Sequence, residues 1–387
     1  MRIALVHDYI KEYGGAERVL EALHELYPDA PVYTTVYLPQ FLGPHKERFK
    51  DWKIHTSWLQ YIPMKGKLIS PFRILSPFVF GNFDLSKYDV IIVSATGAYF
   101  PNSLDKKKAV QICYCHTPPR YLYGYATARE WKKNVIVKAF ATVANHLLRM
   151  VDYDASKNVD YYIANSEEVK GRIHKFYRKD AVVIYPPVDV SIKYKVSSIK
   201  YEKEKDENRH NTKYLIPNTA YYLAGGRLAR PKHIDLIVNA CRELKVPLKI
   251  FGKGFAGYGD ELKKIASPTT EFLGEVSDEE KMDLMANAKA FIFASEDEDF
   301  GIVPVEAMAQ GTPVIAYRSG GVKETVVDRK TGVFFDDLTV ESLKKAIKQF
   351  SNLVIDPKDC IKQAQKFSKE RFLKEVKEFV DARVARS

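Results

Sequence analysis

Apolar residues fall along this chain in short continuous runs, separated by stretches whose apolar positions recur at helical spacing. Ile3-Ala4-Leu5-Val6-His7 is one such run and predicts a buried strand. Gly14-Gly15 breaks the loop after it. Ala16 to Leu26 then sets Val19, Leu20, Leu23 and Leu26 on one side, which predicts a helix. Runs at Val90 to Ser94, Ala109 to Tyr114, Tyr161 to Ala164 and Val182 to Tyr185 predict further strands, with a helical pattern at Val135 to Met150. Strands alternating with helices predict a parallel, doubly wound sheet. Pro186-Pro187-Val188-Asp189 stops the pattern, and the polar stretch Lys193 to Lys213 is expected to link domains. A second series runs through Tyr221 to Ala224, Leu248 to Phe251, Glu271 to Leu273, Ala290 to Ala294 and Pro313 to Ala316. The expected division is α/β throughout: residues 1–190 as one Rossmann-like domain and 191–368 as a second. Residues 369–387 form a terminal helix, patterned over Glu370 to Val384, that is a candidate to cross back to the first domain.

Composition narrows the class. A chain of 387 residues suits two domains, and 46 % apolar residues suffice for packed interiors rather than disorder. Cys113 and Cys115 alternate within a strand-like run and are expected to be reduced core thiols on one sheet face; with Cys241 and Cys360 they lack the spacing of a zinc site. Few cysteines, and a strand at once after Met1, point to the cytoplasm. No run of about 18 apolar residues exists to span a membrane. The net charge of +11 favours anionic partners, namely nucleotide phosphates, acidic lipid heads or nucleic acid, although simple solubility also accounts for it. Thr56 to Arg73 mixes Trp58, Tyr61, Ile62 and Met64 with Lys65, Lys67 and Arg73, a composition that can lie on an anionic membrane surface or simply pack with a solvated basic face. No nucleic-acid recognition motif accompanies it.

The candidate chemistry sits where strands end. Glu298 and Glu306 are eight positions apart across a predicted strand-to-helix turn, with Phe300, Gly301 and Ile302 between them. Such turns lie at the carboxyl edge of an open α/β sheet, where ligands bind. A helix N-terminus there favours a phosphate, and carboxylates suit hydroxyls, so the turn can hold a sugar nucleotide. Gly226-Arg227 follows another strand, with Lys232 five residues beyond the arginine; a guanidinium and an ammonium at a strand end suit a diphosphate. Gly14-Gly15-Ala16-Glu17 opens a helix without forming a G-x-G-x-x-G fingerprint. His116-Thr117-Pro118-Pro119 also follows a strand. Asp297-x-Asp299 matches a metal-binding D-x-D by letter only, and no metal is expected. Gly320-Gly321 can approach a ligand or simply form a turn.

Together these motifs resemble glycosyltransferase family 4, retaining enzymes of the GT-B fold in which two Rossmann-like domains face a cleft. His7-Asp8-Tyr9 through Val19, with His116 to Tyr121, look more narrowly like bacterial mannosyltransferases of surface-polysaccharide synthesis. The resemblance implies a metal-independent hexosyltransferase without a cofactor. It uses a nucleotide sugar, GDP-mannose favoured, and a saccharide or lipid-linked acceptor; if the acceptor is lipid-linked, this cytoplasmic chain is expected to dock reversibly on the inner leaflet of the cell membrane. Residues 1–190 then face the acceptor and 191–368 hold the donor. Arg227 and Lys232 bind the diphosphate, and Glu306 holds the ribose hydroxyls. Glu298 contacts the transferred sugar beside the Phe300, Gly301 and Ile302 backbone. His116 lies near the anomeric carbon, and Gly14, Gly15 and Gly226 approach the donor. Two positions depart from the family: His233 stands where glycine is common, and Lys323 precedes Glu324 where a small residue or proline is commoner. A GT-B-like sugar-nucleotide epimerase and a non-enzymatic nucleotide-sugar-binding protein stay open as alternatives.

Overall fold

The computed structural model describes residues 1–126, 135–191 and 221–384, without the side chains of residues 135–140. The expected linker Lys193 to Lys213 lies outside the described residues. Two compact units result. The first holds Met1–Tyr125, the described part of Trp131–Pro187, and the C-terminal helix; the second holds the described part of Val188–Ser368.

The first unit is built on β1 (Ile3–His7), β2 (Val32–Thr34), β3 (Ile54–Thr56), β4 (Val90–Ala95), β5 (Val110–Cys115), β6 (Tyr161–Ala164) and β7 (Ala181–Val183). They pair in the order β3-β2-β1-β4-β5-β6-β7, all parallel. Parallel strands are covered on both faces, which is why they read as continuous apolar runs. Alternation within β5 shows it: Cys113 and Cys115 pack into one apolar cluster with Ala4, Val6 and Val93, whereas Ile112 and Tyr114 pack into another with Leu5 and Ile92. All four cysteines are free and buried. The helix Lys369–Val384 belongs to this unit. Its Phe372, Val376, Phe379 and Val380 enter the cluster of Ile3 and Leu5, each burial worth about 1.5–3 kcal/mol.

The second unit is built on β8 (Tyr222–Gly225), β9 (Leu248–Phe251), β10 (Thr270–Gly274), β11 (Phe291–Phe293), β12 (Val314–Tyr317) and β13 (Gly332–Phe335), in the parallel order β10-β9-β8-β11-β12-β13. Both sheets therefore reverse their winding beside their first strand, between β1 and β4 and between β8 and β11. Ligands of open α/β sheets bind at such a switch point.

Candidate active site

At the switch point of the second unit, the loops after β8 and β11 lie side by side. The first carries Gly226 and Arg227, then the turn Arg230–Lys232 and the helix Ile234–Leu244. The second carries Ser295 to Phe300 and enters the helix Ile302–Ala309 through Gly301, whose φ of +88° is a left-handed conformation that favours glycine. Pro304 is tolerated in the first turn of that helix because amides there have no intrahelical acceptor. The two loops are stitched together. Glu296 N–H donates to the Pro231 carbonyl at 2.9 Å, and the Lys232 ammonium donates to the Glu298 carboxylate, which also accepts from Ser295 Oγ at 2.6 Å. His233 has φ +45°, which is the backbone reason glycine suits that position, and its ring reaches Glu296 at 3.4 Å.

Glu306 is buried one turn into its helix and pairs with Lys281 Nζ at 2.9 Å; Lys281 also reaches Asp278 at 3.1 Å. The two glutamates thus flank one helix N-terminus, each held by a lysine. The Arg227 guanidinium lies 6.0 Å from the Phe255 ring centroid. Phe300 is buried, with its ring edge-on to Phe367 at 5.4 Å. Gly320 and Gly321 follow β12 and serve the protein's own backbone. A Cβ on Gly320 would lie 2.1 Å from the Glu298 carbonyl, and one on Gly321 would lie 2.4 Å from that of Asp299. Gly321 N–H donates to the Glu298 carbonyl at 2.8 Å. These glycines therefore shape the glutamate loop. Among the described residues no cluster of three or more His, Cys, Asp or Glu could hold a metal ion.

At the switch point of the first unit, β1 ends in His7 with Asp8 just beyond it, β4 ends in Ser94 and Ala95, and β5 leads into His116. The parallel register sets His7 beside Ser94. His7 Nδ1 lies 3.1 Å from both Ser94 O and Ser94 Oγ, and Ser94 Oγ lies 2.9 Å from His116 Nε2. His116 is 9 % exposed, and burial beside His7 pushes its pKa down to about 3, so its ring is neutral at physiological pH. Gly14 N–H donates to Glu17 Oε2 at 2.9 Å, and Glu17 Oε1 lies 3.6 Å from His7 Nε2. A Cβ on Gly14 would meet only Glu17, at an ordinary 3.4 Å. Packing within the chain does not demand glycine there, which leaves room for the close approach of a ligand. Gly15 begins the helix Gly15–Leu26. Asp8 is fully buried and accepts from the Thr96 hydroxyl, Ala98 N and Tyr99 N; desolvation raises its pKa. Sequence reading missed Lys281 and Ser94 because their partners are far away in the chain, and Ser295, three residues before Glu298, because only the folded turn brings its hydroxyl to that carboxylate.

Two family models account for most of the chain. Glycosyltransferase Family 4 matches residues 13–192, and Glycosyl transferases group 1 matches residues 205–367. The chain is 25 % identical over 301 residues to the alpha-1,3/1,6-mannosyltransferase ALG2 of Dictyostelium discoideum, covering 71 % of this chain and 69 % of that protein. It is 27 % identical over 291 residues to the Kluyveromyces lactis ALG2, of which it spans only 53 % while 63 % of this chain is covered. The fold is similar to that of Anabaena HepE in complex with UDP and glucose, with a TM-score of 0.70 at 18 % identity over 99 % of this chain and 100 % of the other. From its two Rossmann-like sheets and the two models that match its halves, the chain belongs to the family 4 glycosyltransferases of the GT-B fold.

Proposed function

We propose that this glycosyltransferase moves mannose from GDP-mannose to a saccharide or lipid-linked saccharide, with retention at the anomeric carbon and without a metal. The observation that carries this reading is the pair of lysine-held carboxylates, Glu298 and Glu306, flanking the N-terminus of the helix Ile302–Ala309. In this reading Glu306 accepts from ribose hydroxyls, and Glu298 meets the hydroxyls of the transferred sugar. Breaking the sugar–phosphate bond builds negative charge on the leaving diphosphate. Arg227, Lys232 and the free amides of the helix supply preorganised positive charge to meet it, the work a metal does elsewhere. His116, being neutral, contributes a hydrogen bond and no charge. No enzymic nucleophile is assigned; the leaving phosphate takes the acceptor's proton as the acceptor attacks from the same face. Mannose is favoured by the named activity of the ALG2 relatives.

Calorimetric titration with GDP-, UDP-, ADP- and dTDP-sugars tests the donor, and a labelled donor offered with and without acceptor tests the reaction. GDP-mannose is expected to bind most tightly, and labelled product to form only with acceptor. Preference for a UDP-sugar overturns the donor assignment. Inversion of the sugar without any acceptor overturns transfer in favour of an epimerase.

A further inference from the structure

We infer that His7 and Ser94 are positioning residues that fix His116 as the tautomer with its hydrogen on Nδ1. The inference rests on the proposed role of His116 beside the transferred sugar. His7 Nδ1 faces the Ser94 carbonyl oxygen at 3.1 Å, and a carbonyl only accepts, so that nitrogen carries a hydrogen. The same hydrogen is shared with Ser94 Oγ, also at 3.1 Å. The serine, receiving on one side, gives its own hydrogen to His116 Nε2 at 2.9 Å. Nε2 is then a lone pair, and the one hydrogen of the neutral ring sits on Nδ1. A hydrogen on His116 Nε2 would need the Ser94 hydroxyl either to donate to His7 Nδ1, setting that nitrogen's lone pair against the Ser94 carbonyl oxygen at 3.1 Å, or to stay buried without an acceptor, which folded chains avoid. His7 and Ser94 are fully buried, so water does not compete for these bonds.

The backbone of His116 is fixed at both ends: its N–H donates to the Ala95 carbonyl at 2.9 Å, and its carbonyl accepts from Asn165 Nδ2 at 2.9 Å. Glu17 extends the chain of contacts to the glycine loop, touching Gly14 N–H and standing 3.6 Å from His7. The consequence is chemical. His116 offers its ligand an N–H, so it selects an oxygen acceptor of the donor sugar or its phosphate rather than donating hydroxyls.

Long-range proton–nitrogen spectra of the full-length enzyme labelled with nitrogen-15 histidine read the tautomer directly, with His116→Gln assigning the signal. The expected result is a protonated Nδ1 and an unprotonated Nε2. In Ser94→Ala the hydrogen is expected to move to Nε2, and kcat to fall about 10–100-fold, the usual cost of losing an orienting partner, with donor KM and Tm little changed. His7→Asn, which keeps an N–H near the Nδ1 position, is expected to retain the tautomer and much of kcat, and His7→Leu to lose both. A protonated Nε2 in the wild-type enzyme overturns the inference alone, as does a Ser94→Ala enzyme with unchanged tautomer and kcat. A His116→Gln enzyme with unchanged kcat overturns the assignment of His116 and the inference with it, whatever the spectrum shows.

Discussion

Single side chains at the second switch point set the sharpest expectations. Glu306 is buried and held by Lys281, so its carboxylate is preorganised before any nucleotide arrives. Glu306→Ala is expected to weaken nucleotide binding by about 1.5–3 kcal/mol, the worth of a hydrogen bond to a charged group, as read by calorimetry. Unchanged affinity would remove the ribose assignment. In the proposed reaction Arg227 and Lys232 face charge that grows as the sugar–phosphate bond breaks. Alanine at either is expected to cost roughly 3–4 kcal/mol in kcat/KM with a much smaller change in melting temperature. The loss at Lys232 has a second source, because its removal leaves Glu298 without its ammonium partner. By the same logic, turnover is expected to be insensitive to EDTA. Activity that chelation abolishes and Mg²⁺ or Mn²⁺ restores would return Asp297 and Asp299 to consideration as ligands.

Whole elements carry the fold, and their legibility followed their burial. The strands Ile3–His7, Tyr161–Ala164 and Leu248–Phe251 are covered on both faces, so their apolar runs matched the observed bounds. The strands Val32–Thr34 and Ile54–Thr56 escaped because three residues carry no period, and Gly332–Phe335 because it opens on glycine at a sheet edge. The helix Ile69–Gly81 escaped because Pro71 and Pro77 mask its pattern. The Glu298 to Glu306 turn was legible because strand, turn and helix are contiguous. The contacts of Lys281 and Ser94 arise only after distant segments meet. The helix Val135–Asn158 adds one expectation of its own. Its Asp152 is buried, accepts from Tyr123 and Tyr177 hydroxyls at 2.8 and 3.0 Å, and desolvation pushes its pKa up to about 7 from 3.8. Between these values the folded chain holds a proton that the unfolded chain has lost. Stability from this group is therefore full below about pH 4 and declines, by up to about 1.4 kcal/mol per pH unit, until about pH 7. Asp152→Asn keeps an acceptor for the tyrosines and is expected to flatten that slope in denaturant titrations from pH 4 to 8. A slope equal to the parent's would show that Asp152 is charged throughout.

At the scale of the molecule, the proposed lipid-linked acceptor would require the chain to meet a membrane surface. Among the described residues no helix is long and apolar enough to cross a membrane. The first unit nevertheless exposes Trp58, Tyr61 (84 %), Met64 (70 %), Ile74, Leu75 and Phe78 along one stretch of chain. On the helix Val135–Asn158, Val143, Leu147 and Met150 are exposed at spacings that share one face. Both this helix and the helix Ile69–Gly81 contact the turn Pro101–Ser103. Exposed apolar side chains on a chain of net charge +11 suit reversible docking on an anionic leaflet. The structure commits two of the basic residues in this stretch to contacts within the chain. Lys65 donates to the Gln60 carbonyl at 2.6 Å. Arg73 donates to the Ala98 carbonyl at 3.0 Å and stacks 3.8 Å from the Tyr121 ring, so both are committed to the fold, whereas Lys67 is exposed. Each basic residue near an anionic surface gains about 1 kcal/mol, and salt screens this over about 10 Å. The enzyme is therefore expected to co-sediment with anionic vesicles at low salt, to release in part at high salt, and to bind neutral vesicles weakly. Serine at Tyr61, Met64 and Lys67 is expected to weaken attachment while leaving affinity for the nucleotide donor intact, because those exposed side chains belong to the first unit and the glutamate loop to the second. Equal sedimentation with neutral and anionic vesicles, or attachment that survives the triple substitution, would sink this docking surface.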